Sequence, residues 1–258
     1  MKKMWIESES ILIIFLLLAY LTILRSQAQI DGLLSYFRFI RTDVDNTPYV
    51  TINDSFFTQN DCADLLDQIN KSGLVTNNPL NDSFENTKGF LIKFTDNPTT
   101  KKRFEKRNAS FAYNVFRKIK NSKCNAFICN LLVIPARNKK HSPEIGMHQD
   151  CTMDITEEYY PHRTYLPKCV SVLYIQTPEY FIDGELELYT FMGLSDTPEQ
   201  MIRPKIGRLV EFRGDLYHSV KSFGSHEDTP RISLVFEQYI LPSHLLPTKS
   251  FEILSNEY

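Results

Sequence analysis

The period of the apolar positions changes twice along this chain. One unbroken apolar run, Ile11 to Leu24, lies near the start between Glu9 and Arg25. Between residues 57 and 120 apolar residues recur every three or four places, the spacing of a helix with one buried face. Phe57 to Ile69 is predicted as a helix, with Thr58 as its N-cap and Cys62, Leu65, Leu66 and Ile69 on its apolar face. A second helix is predicted from after Asp96-Asn97-Pro98 to about Lys120, burying Phe104, Phe111, Val115, Phe116 and Ile119. Its other face is basic, from Lys101 through Arg107 to Lys120, and reads first as a solvated face and second as a contact for an acidic partner or lipid headgroups. Residues 48–53 read as a strand and 77–88 as polar, turn-rich chain. From Ala126 short β-rich runs take over: Ala126–Ile134, Cys169–Gln176, Glu185–Phe191, Arg208–Phe212, Leu216–Val220 and Arg231–Ile240. Turn residues such as Asp183-Gly184 and Gly214-Asp215 separate them. Many short strands at this spacing predict a sandwich or barrel. Helices followed by a block of strands predict an α+β fold with the helices packed on one side of the β core.

The 258 residues are 42 % hydrophobic and 23 % charged, which excludes wholesale disorder, collagen and coiled coil. A net charge of −2 gives no electrostatic ground for a nucleic-acid partner. The five cysteines form no CxxC, so no zinc ribbon is expected, and their number is too small and odd for a disulfide-built scaffold. Disulfide pairing stays open, with Cys124–Cys129 as one candidate for which the five-residue separation is no evidence of geometry. The run Ile11–Leu24 would extend about 21 Å as a helix, short of a ~30 Å hydrocarbon core. With Lys2 and Lys3 before it and Ser26-Gln27-Ala28 after it, residues 1–28 read as a cleaved signal peptide, as an uncleaved signal-anchor holding the chain to a membrane through residues 11–24, or as a buried helix. The first two send the chain into the secretory lumen, the endoplasmic reticulum or beyond. Sequons at Asn53, Asn70, Asn81 and Asn108 agree with that compartment.

Three short motifs bear chemistry. Gly146-Met147-His148-Gln149-Asp150 contains His-x-Asp, and in a strand positions i and i+2 point the same way. Leu216-Tyr217-His218-Ser219-Val220 supplies a second histidine on a predicted strand after a Gly-Asp turn. Two histidines and one carboxylate are the facial triad of non-haem Fe(II) enzymes, leaving positions open on the metal for a chelating cosubstrate and O2. Arg231-Ile232-Ser233 follows, opening the last strong strand. A forked guanidinium with a hydroxyl on the same face suits the far carboxylate of a dicarboxylic acid.

In this order the motifs resemble the Fe(II)/2-oxoglutarate-dependent dioxygenases, in their prolyl 4-hydroxylase-like branch. Val170–Ile175, Asp183-Gly184-Glu185-Leu186 and Lys205–Phe212 resemble further stretches of that branch. The resemblance spans about residues 128–241. It implies a double-stranded β-helix, or jelly-roll, core over 126–241. A helical support region would fill 29–125 and a tail 242–258. It implies that His148, Asp150 and His218 hold Fe(II) and form the catalytic centre, and that Arg231 and Ser233 bind 2-oxoglutarate. The reaction implied is hydroxylation of an unactivated C–H bond, with O2 consumed and 2-oxoglutarate converted to succinate and CO2, ascorbate assisting. A peptidyl proline or lysine is the substrate implied. Alternatives are a small molecule or free amino acid, or a catalytically silent binding module. The chain departs from the branch in places. Arg231 stands where animal collagen prolyl 4-hydroxylases have Lys, and Asp183 stands where a Gly begins the turn. No Tyr lies in Ala126–Ile134, so Asn130 or Tyr174 would face the cosubstrate. The insert Thr152–Lys168 after the His-x-Asp reads as a lid or substrate loop.

Overall fold

The computed structural model describes residues 39–40, 48–75, 87–136, 143–150, 153–155, 163–190 and 197–246. The targeting segment expected in residues 1–28 lies outside them, as do Asn81 and most of the 242–258 tail. No helix among the described residues is long and apolar enough to cross a membrane. Phe39–Ile40 (β1) belongs to an N-terminal unit, residues 1–40, and residues 41–258 form a second compact unit.

In the second unit the chain opens with β2 (Val50–Asn53) and α1 (Gln59–Ser72). Thr58 caps α1 as its sequence predicts. The Thr58 hydroxyl accepts from Asp61 N at 3.1 Å while the Asp61 carboxylate accepts from Thr58 N at 2.9 Å. Gly73, at φ 70°, ends the helix, and Cys62, Leu65 and Ile69 are its buried face. A strand the sequence pattern did not predict follows, β3 (Lys88–Phe94), in which alternate residues Phe90, Ile92 and Phe94 are buried. Its lysines and Gly89 mask the alternation, and the Gly89 position is obligatory: a Cβ there would lie 1.7 Å from the Leu131 carbonyl oxygen.

The single helix expected up to Lys120 is two helices, α2 (Thr100–Lys106) and α3 (Ser110–Ile119). Asn108 breaks them apart by adopting φ 55°, a left-handed conformation that asparagine tolerates better than most residues. Ala109 N then closes back on Phe104 O at 2.9 Å. The apolar positions are nonetheless those predicted. Phe104 and Phe116 each meet Phe94 edge-on at 4.9 Å between ring centroids, and Phe127 stacks on Phe94 at 5.4 Å.

The remaining elements are β4 (Ala126–Ile134), β5 (Pro143–His148), β6 (Met153–Ile155), β7 (Arg163–Tyr165), β8 (Cys169–Gln176), β9 (Ile182–Asp183), β10 (Leu186–Tyr189), β11 (Gln200–Ile202), β12 (Leu209–Arg213), β13 (Tyr217–Lys221), β14 (Phe223–Gly224) and β15 (Arg231–Tyr239). Of the strand expected over Glu185–Phe191, Leu186–Tyr189 forms β10 and the chain bends at Thr190, while Phe191 lies outside the described residues; β11 was not predicted. Strands β2, β12, β8, β15, β4 and β3 lie side by side in one sheet, and β11, β10, β13 and β5 in another. All pairings in both sheets are antiparallel.

From β4 onward, the chain's strands in these two sheets fall in the order large, small, large, small, small, large, small, large. With β15 beside β4 and β13 beside β5, that winding is the double-stranded β-helix, here extended at both edges of the large sheet by β2 and β3. The alternation of side chains makes two cores. One face of the large sheet (Phe127, Cys129, Leu173, Leu234, Phe236) packs under the helices, which lie on one side as expected. The other (Val170, Val172, Val210, Phe212, Val235) faces Leu188 and Val220 of the small sheet. All four described cysteines, Cys62, Cys124, Cys129 and Cys169, are buried free thiols, so the Cys124–Cys129 pairing does not form.

Candidate active site

A cavity of about 560 Å³ opens between the two sheets. The small sheet brings the two histidines together, because β13 pairs with β5 so that His218 stands directly opposite His148. Their rings lie 4.2 Å apart at 52°. Asp150 arrives differently from the strand alternation expected of it. β5 ends at His148, and Gln149 and Asp150 continue as irregular chain that folds the carboxylate back between the rings. Asp150 Oδ1 is 3.7 Å from His148 Nε2 and Asp150 Oδ2 is 3.6 Å from His218 Nε2. One ligand atom from each residue fits within 4.8 Å of the others.

The backbone orients both imidazoles. A carbonyl oxygen can only accept, so the Gly146 carbonyl makes His148 Nδ1 the donor, at 2.8 Å. The Leu216 carbonyl faces His218 Nδ1 at a longer 3.4 Å. Each ring thereby turns its Nε2 lone pair toward Asp150, as a metal site requires. Burial, with the neighbouring His148, holds the His218 pKa below the ordinary value against the pull of Asp150, which favours the neutral, ligating form. For His148 burial is outweighed by the neighbouring Asp150 carboxylate, and its pKa is raised. Burial of Asp150 is likewise outweighed by the two histidines, which keep its pKa low.

A divalent cation fits this cluster. Asp150 Oδ2 is buried with no hydrogen-bond partner among the described residues. Such an acceptor beside two imidazole nitrogens, with no thiolate, matches the preferences of Fe(II). Gln149, the residue inside the His-x-Asp, is also employed. Its Nε2 donates to the Asp215 carbonyl at 2.7 Å, and Arg213 clamps the Asp215 carboxylate through two bonds of 2.9 and 2.8 Å. The loop bearing Asp150 is thus tied to the turn that leads into His218.

The large sheet supplies the rest of the cavity. On β15 alternate residues Arg231, Ser233, Val235 and Glu237 line it. Arg231 is 3 % exposed, and its Nη1 donates to the Gly184 carbonyl at 2.8 Å. That carbonyl is presented by consecutive left-handed residues, Asp183 at φ 63° and Gly184 at φ 85°, so Asp183 adopts a backbone conformation usually left to glycine. Both residues weighed for the cavity wall near Arg231, Tyr174 and Asn130, line the cavity, and Tyr174 is the nearer of the two to Arg231 along the sheet. It lines the cavity opposite Ser233 in register, and burial raises its pKa against the opposing charge of Arg231, keeping a phenol donor there. Asn130 lies farther along, opposite Val235, with its Nδ2 donating to Glu237 at 3.0 Å. Tyr217 is not among the cavity residues. Glu237 was not singled out in the sequence, though a charged residue on the inward face of the run RISLVFEQY was the signal. In the expected lid, β6 and β7 pair antiparallel, while His162 and the rest of residues 156–162 lie outside the described residues.

No family model and no curated protein sequence matches this chain. Among solved structures, one similar to it is a prolyl-4-hydroxylase from Pseudomonas putida, with 16 % identity and a TM-score of 0.46 over 77 % of this chain and 97 % of that one. Another is a Trichoplax adhaerens prolyl hydroxylase in complex with a peptide fragment of the hypoxia-inducible factor oxygen degradation domain, with 17 % identity and a TM-score of 0.47 over 83 % and 92 %. A third is the viral collagen prolyl hydroxylase of Paramecium bursaria Chlorella virus-1 in its 2-oxoglutarate complex, with 16 % identity and a TM-score of 0.38 over 77 % and 100 %.

Proposed function

We propose that this chain is an Fe(II)- and 2-oxoglutarate-dependent dioxygenase that hydroxylates a peptidyl side chain. The observation that carries the reading is the convergence of His148, Asp150 and His218 at the wall of a cavity that also holds a buried arginine. His148 Nε2, His218 Nε2 and one Asp150 oxygen would hold the iron. Arg231 would pair with the distal carboxylate of 2-oxoglutarate, with Ser233 and the Tyr174 hydroxyl as further donors. Bound iron with the oxo acid supplies the activation of O2 and the oxidising power, coupled to release of succinate and CO2. The chain's own contribution is to orient both imidazoles through backbone carbonyls, to hold the oxo acid by charge, and to wall the reacting centre with Val170, Val172, Phe212 and Val235.

The test is succinate release from 2-oxoglutarate by residues 29–258, with Fe(II) and ascorbate and with peptides as added substrate. Success is release by the intact protein and none by His148→Ala, with Arg231→Leu weakening 2-oxoglutarate binding. Failure to bind Fe(II) or 2-oxoglutarate would leave a silent binding module instead. A secretory location is part of the proposal: Asn53, Asn70 and Asn108 are all exposed and open to glycosylation. A glycosidase-sensitive mass shift after expression in a secretory host would support it.

A further inference from the structure

Beyond the metal centre the cavity carries polarity that the reading above does not use. Asn130 and Glu237 face into it from adjoining strands, β4 and β15. The Asn130 amide is fixed in one orientation. Its Nδ2 donates to Glu237 Oε1 at 3.0 Å, and the reversed amide would set two acceptors against each other. Glu237 is fully buried and also accepts from the Tyr239 hydroxyl, so it is anchored on both oxygens. Asn130 Oδ1, in contrast, is buried with no hydrogen-bond partner among the described residues. A buried acceptor in that state calls for a donor from whatever fills the cavity.

The cosubstrate cannot be that donor, since ionised 2-oxoglutarate has only acceptor oxygens. A peptidyl proline cannot either, because its ring nitrogen carries no hydrogen and its ring no polar group. A lysyl ammonium has three donors and no acceptor, and the carboxylate beside Asn130 favours a cation over a neutral amine.

Resting on the dioxygenase reading, we propose that Asn130 is a specificity-determining residue, positioned by Glu237, that receives the ammonium group of a lysyl side chain. The oxidised C–H would then lie on that side chain, and proline peptides would be poor substrates.

The test uses the full chain with Fe(II), 2-oxoglutarate and ascorbate, and three peptides identical but for one residue: lysine, norleucine or proline. Norleucine keeps the aliphatic chain and lacks the ammonium. The lysine peptide is expected to exceed the other two by at least about tenfold in kcat/KM for stimulated succinate release. Asn130→Leu is expected to collapse that preference, bringing the lysine and norleucine peptides to about equal kcat/KM. Equal stimulation by norleucine or proline overturns the proposal. So does stimulation by none of the peptides over a measurable basal release, or an unchanged preference in Asn130→Leu. The peptide comparison on the unaltered protein decides the matter even if that variant does not fold. Absence of both basal release and 2-oxoglutarate binding would instead sink the dioxygenase reading itself.

Discussion

Gly214 offers a test of how closely the metal ligands depend on a turn that does not touch them. It begins the Gly214-Asp215 turn four residues ahead of His218, and its N donates to the Lys168 carbonyl at 3.3 Å. A Cβ added there would lie 1.9 Å from the Pro167 carbonyl oxygen, 2.5 Å from its carbon and 2.6 Å from the proline ring. Real Cβ atoms do not come closer than 3.0 Å, so Gly214→Ala must open a gap of about 1 Å between two backbone segments. Overpacking of this kind costs about 1–3 kcal/mol, a fall in Tm of about 2–12 °C for a chain of this size. Metal sites tolerate about 0.5 Å of displacement, so the strain, passed along the turn to His218, should weaken Co(II) or Fe(II) binding at least about tenfold. Gly146→Ala is the matched comparison. It lies two residues from His148, yet its Cβ would meet nothing within 4 Å, so stability and metal affinity should both hold. Thermal unfolding and metal titration of the two variants give the answer. If Gly214→Ala melts with the unaltered protein and binds metal equally well, the turn does not position His218.

Gln149→Ala removes the 2.7 Å bond to the Asp215 carbonyl and should lower metal affinity about tenfold with little change in Tm, read by Co(II) titration. Phe94→Ala empties the centre of the aromatic cluster formed with Phe104, Phe116 and Phe127, and should cost about 3–5 kcal/mol in denaturant unfolding. Burial raises the Glu211 pKa, partly offset by the Ser171 hydroxyl, so the folded state holds this proton to higher pH than the unfolded chain. Stability from the protonated form is therefore lost as pH rises through the carboxylate range. Glu211→Gln should melt above the unaltered protein at pH 7.5, and the gap should close at pH 4.

The active-site motifs were legible because strands impose a short period: Arg231 and Ser233 share a face, and β13 places His218 opposite His148. Asp150 meets the two histidines by way of a loop, so the cluster forms by a route that strand alternation alone does not describe. What the chain pattern hid were features set by long-range pairing. β3 is a strand because β4 offers it seven partners, against its own lysines and glycine. The break at Asn108 is a single left-handed residue inside a run whose apolar spacing stays helical. Glu237 lies in a stretch that reads as ordinary hydrophobic strand, and its importance depends on Asn130 arriving from 107 residues earlier in the chain.

The site draws its parts from both sheets. His148 and His218 belong to the small sheet, and Arg231, Ser233 and Glu237 to the large one. Backbone hydrogen bonds run within each sheet, so across the cavity the sandwich is held chiefly by apolar contact and by the connecting turns. A molecule that ligates at one wall and is salt-bridged at the other would act as a rivet through the two layers. Loading should then stiffen the whole sandwich through mass action on its closed state. Amide exchange is where this would register. The small sheet is narrow, and among the described residues its edge strand β5 pairs with β13 alone, so these two strands should gain the most protection. β15, bonded on both flanks to β4 and β8, should be slow to exchange whether the cavity is filled or not.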